Sequence, residues 1–426
     1  MIKQRVLPFN LEKTNDKITS HSGLALFGEF IKGFGLDHLI DKYLPMPGSN
    51  SGLMPGSYVT PLVLLLNGGG RSLEDMRVIK HDSGLRDILG LDQIPSSCAI
   101  GDWLRRMGCG KGLAGLDLVN RAFLKRSLRN DGSNEYTLDI DATAIESAKS
   151  SAKFTYKGFK GYMPMTGHLA ENGFMVFDEF REGNDSPGAR NLEFLKECQS
   201  RMPKGKRIAY LRSDSAAYQA RIINHCEGDD VKFAIGADLD SSVREAISSI
   251  RAGHWRKYQN GYIGETVHTM NKTKKSFRLI VIKRPVQGEL FSVDGSNARF
   301  TVIASDRDES SEETVAWYNR RGESSENRIK ELKIGFGMER MPCDSFKANA
   351  IYFRIGVLAY NLYALFRAKA LPVDWGKYQV QTVRWRLYSM AGKVVRHAGK
   401  LILKVNESLF ELFLSIRKKS YELSIE

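Results

Sequence analysis

The chain has 426 residues, 42% of them hydrophobic, which is enough to fill ordinary cores in about two or three domains. Its 63 Lys and Arg against 49 Asp and Glu leave a formal net charge of +14, a field that favours polyanions. With no basic amphipathic anchor or lipidation signal, nucleic acid is a better partner than a membrane surface, although charge alone is equally compatible with purely electrostatic, ribosomal-type binding.

Five cysteines, an odd number with no C-x-x-C, and eight histidines that do not cluster with them argue against a zinc finger and a disulfide framework. The opening MIKQRVLPFNLEKTND turns polar at once, and LVLLL at 62 to 66 is too short to span a bilayer, so a cytoplasmic protein is expected. A longer apolar stretch, NAIYFRIGVLAYNLYALF at 349 to 366, is interrupted by Arg354 and Asn361 and reads as a buried core helix.

Along the chain, residues 1–130 read as mainly helical. Apolar residues recur at helical spacing over 24–44 and 57–67, and Gly68, Gly69 and Gly70 end the second helix. Further on, GLRDILG, a turn at LDQIPSS and the helix SCAIGDWLRRMG outline a helix-turn-helix, with Trp103 and Leu104 inward and Arg105 and Arg106 outward. Arginines at a helix end are also common on a merely solvated surface, so DNA contact by Arg105 and Arg106 and plain exposure are both open readings.

From 131 the texture alternates strand and helix. YTLDIDAT is a strand, and GHLAENGFMVFDEFREGN holds two more joined at Glu171-Asn172-Gly173. ARNLEFLKECQSRM is a helix, RIAYLRSD a fourth strand, AAYQARIINHCE a helix and VKFAIGAD a fifth strand. This order is compatible with a ribonuclease-H-like sheet in which the first and fourth strands lie side by side. Residues 237–305 read as short strands, a β-rich insertion. Helix returns at 309–333 and 345–370, and a basic segment follows with a hairpin around His397-Ala398-Gly399-Lys400 and a last helix, ESLFELFLSIRK. The expected organisation is therefore 1–130 helical, 131–236 and 306–370 as two parts of an α/β core, 237–305 as the insertion, and 371–426 as a basic C-terminal region.

Three places carry candidate chemistry. In LDIDAT, Asp139 and Asp141 lie two apart on a strand and so leave the same face, where unpaired burial would be costly. Asp214 stands where the fourth strand gives way to a helix, a position that serves a cleft and that also suits a simple N-cap. In AWYNRRGESSENRIKELK, a straight helix at roughly 100° per residue puts Tyr318, Glu326 and Lys333 at roughly 0°, 80° and 60°, one stripe. A surface helix laced with ion pairs is the alternative. Paired carboxylates also serve glycosidases, but the strong positive charge and few tryptophans argue against a sugar cleft.

The ordered set LDIDAT, TYKGFKGY, EFREGN, RSDSA, FAIGAD, YN-R-R-G…ENRIKELK and LAYNLYALFR resembles the transposases of bacterial insertion sequences, specifically the insertion-sequence 1380 family, related to insertion-sequence family 4. The resemblance runs across nearly the whole chain and is strongest from about 136 to 370. It implies a DDE catalytic core of ribonuclease-H type, interrupted by a β-stranded insertion before the Glu, with a helical DNA-binding region ahead of it and a helical C-terminal region.

Carried over residue by residue, the first catalytic Asp matches Asp141 and not Asp139, and the second matches Asp214. The Tyr, Arg, Glu and Lys signature matches Tyr318, Arg321, Glu326 and Lys333, with six residues between Glu and Lys. Four residues separate Arg321 from Glu326 where three are usual, which places Arg321 off the helical stripe and makes Glu323 a rival to Glu326.

The resemblance further implies that Asp141, Asp214 and Glu326 bind Mg²⁺, with Mn²⁺ as a substitute, and that Tyr318, Arg321 and Lys333 meet phosphates. Double-stranded DNA is the implied partner, at terminal inverted repeats and target, with a homodimer in the DNA complex. Phosphodiester cleavage suits such a set, since two hard cations about 3.5 to 4 Å apart activate one oxygen and stabilise another. Trp255, the only tryptophan of 237–305, is a candidate for stacking on an unpaired base or for packing inside the insertion. A non-catalytic DNA-binding relative, or a metal-dependent nuclease without strand transfer, is the second reading.

Overall fold

The computed structural model describes residue 7, residues 9–285 and residues 298–425, and leaves the side chains of Glu323, Ser324 and Ile425 outside that description. The protein is a mixed α/β structure. Among the described residues its main sheet has nine strands: β1 Glu135–Ala142, β2 Met165–Leu169, β3 Met175–Glu179, β4 Arg207–Ser213, β5 Lys232–Gly236, β6 Arg256–Tyr258, β7 Gly261–His268, β8 Phe277–Pro285 and β9 Ala298–Ser305. Their order across the sheet is β6-β7-β8-β9-β5-β4-β1-β2-β3.

The five strands expected from the sequence are all present. β1, β2 and β3 form an antiparallel meander, β4 lies parallel beside β1, and β5 lies parallel beside β4. The juxtaposition of first and fourth strands holds, with Ile140 opposite Ser213. This order is compatible with a ribonuclease-H-like sheet.

The stretch 237–305 differs from a free-standing β unit. β9 pairs antiparallel with β5, and β8, β7 and β6 follow outward, so the inserted strands prolong the core sheet at its β5 edge. Continuing a sheet satisfies the open N–H and C=O row of an edge strand, which a separate domain would leave exposed. A helix, Ser241–Ser248, also lies in this stretch, capped by the Asp240 carboxylate accepting from Val243 N at 2.8 Å. Its eight residues, about two turns, are too short for the apolar spacing to stand out from the strand pattern around it.

The long helix Phe346–Lys369 is the axis of the helical part and is buried almost throughout from Ala348 to Phe366. The polar residues that interrupt its apolar run both have partners. Arg354 meets Asp178 at 3.0 Å, and the Asn361 side chain accepts from Met175 N at 2.7 Å and donates to Asn120 at 2.8 Å. No helix among the described residues is long and apolar enough to cross a membrane.

Residues 1–130 do not stand apart from the C-terminal part. Phe27 and Phe30 meet Phe366 edge-on, with ring centroids 5.4 and 5.0 Å apart, and strand Lys17–Thr19 pairs with Gly392–His397. The expected helix over 24–44 is broken at Gly35, whose φ of 78° ends Ser22–Gly33 and starts Leu36–Tyr43. The hairpin around His397 forms as read, with Ala398 and Gly399 at positive φ in a two-residue turn.

The helix-turn-helix outline is not realised as a compact pair. Ser97–Cys109 is capped by Ser96, but it docks on Phe346–Lys369, while the preceding helix Ser83–Leu89 packs on Ser22–Gly33 and Lys17–Thr19.

Candidate active site

β1 puts Asp139 and Asp141 on one face, toward the helical segment that begins at Ser311. The two meet different surroundings. Asp139 is fully buried and held by both arms of Arg212, Nε to Oδ1 at 2.7 Å and Nη2 to Oδ2 at 2.8 Å. Arg212 also donates to Trp317 O at 2.8 Å and lies under the Trp317 ring. His168, buried on the neighbouring strand β2, has Nε2 3.6 Å from Asp139 Oδ2. Burial drives its pKa down to about 3, Asp139 pulling up and Arg328 and Arg212 pushing down, so it is neutral.

Asp141 sits one alternation further along, at the end of β1 where the strand opens into a cleft of about 230 Å³. Asp141, Ala142, Thr143, Glu326, Ile329, Lys330, Lys333 and Ile334 line that cleft. Burial raises the Asp141 pKa to about 6. Arg321 works against the rise, while the charges of Asp214 and Glu326 add to it. Three carboxylates from β1, the end of β4 and the late helix therefore share one electrostatic neighbourhood, and the residue deepest in it pays in proton affinity.

Asp214 follows Ser213, the last residue of β4, at the level where β1 presents Asp141. It also serves as a cap, accepting from Ala216 N at 3.1 Å at the head of the turn Ser215–Ala217, so the capping and cleft readings are both met by one side chain. Tyr318 reaches the same strand ends. A Cβ on Gly236, the last residue of β5, would come within 3.0 Å of its hydroxyl, so glycine there makes room for the phenol.

The late helix starts at Ser311 with a capping box between Ser310 and Glu313 and runs regularly to Arg321. Residues Gly322–Glu326 then form a π-helical turn, and Glu331–Gly335 a second. A π turn takes up one extra residue as a bulge. This corrects the straight-wheel expectation that Arg321 lies off the stripe, because Arg321 Nη2 stands 3.4 Å from Asp141 Oδ2. Its Nε has no hydrogen-bond partner among the described residues. Glu326 is exposed on the cleft wall, and the side chain of Glu323, the rival, lies outside the described residues. Lys333 lines the same cleft and donates from Nζ to Ala144 O at 2.7 Å, tying the helix to the exit of β1.

The donor set is all oxygen, the type that hard divalent cations take. Among the described residues, however, no three such side chains stand close enough together to hold one ion, and Arg321 is the charge beside Asp141. The residues fit a cation in kind, with Arg321 as the group that a bound ion would have to replace electrostatically.

Two sequence candidates lie elsewhere. Arg105 and Arg106 are exposed on Ser97–Cys109, whose Trp103 is buried and stacked on Tyr58 at 4.9 Å; Arg105 pairs with Asp102 at 2.5 Å. Trp255 is half-buried against β7, where a Cβ on Gly264 would come within 3.0 Å of its ring, and Lys283 Nζ lies 5.8 Å from the ring centroid. Neither it nor its neighbours line the cleft of Asp141 and Glu326. Arg212, His168 and Trp317 were not anticipated. A signal existed for Arg212, which precedes Asp214 by two on a strand and so shares its face.

A family model described as transposase DDE domain, group 1, matches residues 5–413. No curated protein matches the chain.

Proposed function

The chain belongs to the group 1 family of transposase DDE domains, and on that premise we propose that it is the transposase of a bacterial insertion sequence, of the insertion-sequence 1380 type. It would act in the cytoplasm, bind double-stranded DNA at the terminal inverted repeats as a homodimer, and cleave and rejoin phosphodiester bonds. In this reading β1 to β5 with the late helix form the ribonuclease-H-like core, and 237–305 is the insertion placed before Glu326.

The observation that carries the reading is that Asp141, Asp214 and Glu326 share one electrostatic neighbourhood, in which burial first, and then the charges of Asp214 and Glu326, lift Asp141 to about 6. These three, which would have to come closer together than they stand here, would hold Mg²⁺, or Mn²⁺ in its place, which when bound supplies activation of the attacking oxygen and stabilisation of the leaving oxygen. Arg321 is already beside Asp141 and offers a planar fork suited to a phosphate once that carboxylate is otherwise engaged. Lys333 fixes the cleft wall and adds a point charge to it. Tyr318, seated over Gly236, keeps the β5 end open to the strand-end loops and presents a hydroxyl beside Asp214.

The test uses the full chain and a supercoiled plasmid carrying the DNA that flanks the gene. Cleavage at the element ends, dependent on Mg²⁺ or Mn²⁺ and abolished by chelator, is expected, with joined products when target DNA is added. Cleavage without joining would leave a nuclease, and binding without cleavage a non-catalytic relative.

A further inference from the structure

Between the Asp141 strand and β2 the chain makes a small three-stranded sheet, in the order Ile145–Glu146, Lys160–Tyr162, Lys153–Phe154. From 147 to 161 it holds four lysines, Lys149, Lys153, Lys157 and Lys160, and no carboxylate. The base of this hairpin is locked. Tyr162 is fully buried, its hydroxyl 2.7 Å from Ser151 Oγ and 3.2 Å from Asn349 Nδ2. Gly161 and Gly183 admit no Cβ, since one there would stand 2.1 Å from Ile145 O and 2.2 Å from Lys153 O respectively.

The tip is closed as tightly. Thr155 N donates to Phe159 O at 2.8 Å, and Gly158 turns the chain at a φ of 84°. Thr155 is buried, so its neighbours Phe154 and Tyr156 point the other way, and they are 69% and 64% exposed. Two large aromatics left this exposed on a closed hairpin forgo the burial by which such rings usually stabilise a fold.

Their position matters. Lys157 lies over the Tyr156 ring at 5.7 Å and is near enough to Lys333, on the cleft wall with Asp141 and Glu326, to help lower its pKa after burial has done so. On the other side Lys149 reaches Asp344 at 3.9 Å, whose field Arg105 also feels. The hairpin thus bridges the cleft and the exposed arginines of Ser97–Cys109.

We propose that Phe154 and Tyr156 form a stacking platform for unpaired nucleotides of the DNA end, with Lys157 and Lys160 on its backbone, so that this hairpin and not Trp255 takes an unpaired base there. The inference rests on the reading of the chain as a DNA transposase. Positive charge beside exposed rings is the combination that single strands need, because every base offers a face and every linkage a charge.

The probe is a short duplex of the flanking DNA, either blunt or with a single-stranded tail carrying one 2-aminopurine, offered to the full chain with Ca²⁺. Wild type should bind the tailed duplex about tenfold more tightly than the blunt one and quench the fluorophore. Phe154→Ala with Tyr156→Ala should lose both gains while keeping blunt-duplex affinity and thermal stability, and Tyr156→Phe should keep them. Retention of the tail preference in the double variant, or its loss in Trp255→Ala alone, overturns the inference. A wild-type protein that binds the two duplexes equally also overturns it. One that binds neither overturns the transposase reading itself.

Discussion

Asp139 and Asp141 leave the same face of β1, yet one is sealed in a two-pronged pair with Arg212 under Trp317, and the other faces an open cleft with Arg321 3.4 Å away. The first has every charge answered and no water to lose. The second is pushed up chiefly by burial, with Arg321 opposing and Asp214 and Glu326 adding, and it holds its proton to about 6. A buried pair serves the fold, whereas a carboxylate at a cleft wall whose charged form burial disfavours is strained in a way that binding a cation would relieve. Strand alternation makes the two look equivalent, and the partners delivered by β4 and the late helix make them opposites.

The sharpest test of that contrast is stability. Replacing Asp139 with Asn leaves the Arg212 guanidinium buried without its counter-charge, and breaking such a pair costs about 3 to 5 kcal/mol. Asp141→Asn should cost far less at neutral pH, because it removes a charge that burial disfavours. Urea unfolding of the two variants measures this, and equal losses would end the distinction.

Activity should reverse the order. Asp141→Asn and Glu326→Gln are expected to lower end cleavage by on the order of 10² to 10³-fold, about 3 to 4 kcal/mol of barrier, with DNA binding retained. Calorimetric Mn²⁺ titration should show weakened binding for Asp141→Asn and nearly unchanged binding for Asp139→Asn. Glu323→Gln should still cut. An inactive Glu323→Gln beside a normal Glu326→Gln would move the third carboxylate.

Acidity offers a smaller handle, with opposite signs at the two places. Folded Asp141 keeps its proton to about 6 whereas an ordinary Asp loses it near 3.8, so free-protein stability falls as pH rises between these values. The effect is at most about 3 kcal/mol. His168, held down to about 3 from an ordinary 6.5, acts the other way, and stability is lost as pH falls below about 6.5. Unfolding curves from pH 4 to 6.5 should therefore flatten on one side in Asp141→Asn and on the other in His168→Asn. Parallel shifts in both would mean that a different group titrates.

The sequence made much of this legible. Period-two alternation located all five core strands and the shared face of Asp139 and Asp141, and the strand-end position of Asp214 was visible from its context. Packing between distant segments was not legible. That Arg212 answers Asp139 depends on β4 lying parallel beside β1 in one register, and that 237–305 continues the sheet depends on which edge β9 finds. The texture changes at 131, but texture is blind to Phe27 and Phe30 meeting Phe366 across the chain. The late helix failed for a different reason: a wheel drawn at constant pitch cannot contain a π turn.

That turn supports the smallest and most diagnostic prediction. It follows the half of the late helix that covers Arg212 through Trp317 and ends on Glu326, which with Ile329 and Lys333 of the next half borders the cleft. If the bulge only absorbs the extra residue between Arg321 and Glu326, both halves already have the phase of an uninterrupted helix. Deleting Gly322, where an added Cβ meets nothing within 4 Å, should then restore regular pitch without rotating Glu326 away from Asp141. Removing a glycine from a helical segment should also stabilise it by about 1 kcal/mol or less. The deletion variant is expected to unfold at slightly higher urea and to cleave within about threefold of the parent, a barrier change under about 1 kcal/mol. A well-folded variant that no longer cuts would show instead that the bulge itself carries Arg321 to Asp141, and that the two halves of the helix are set against each other by design of the turn.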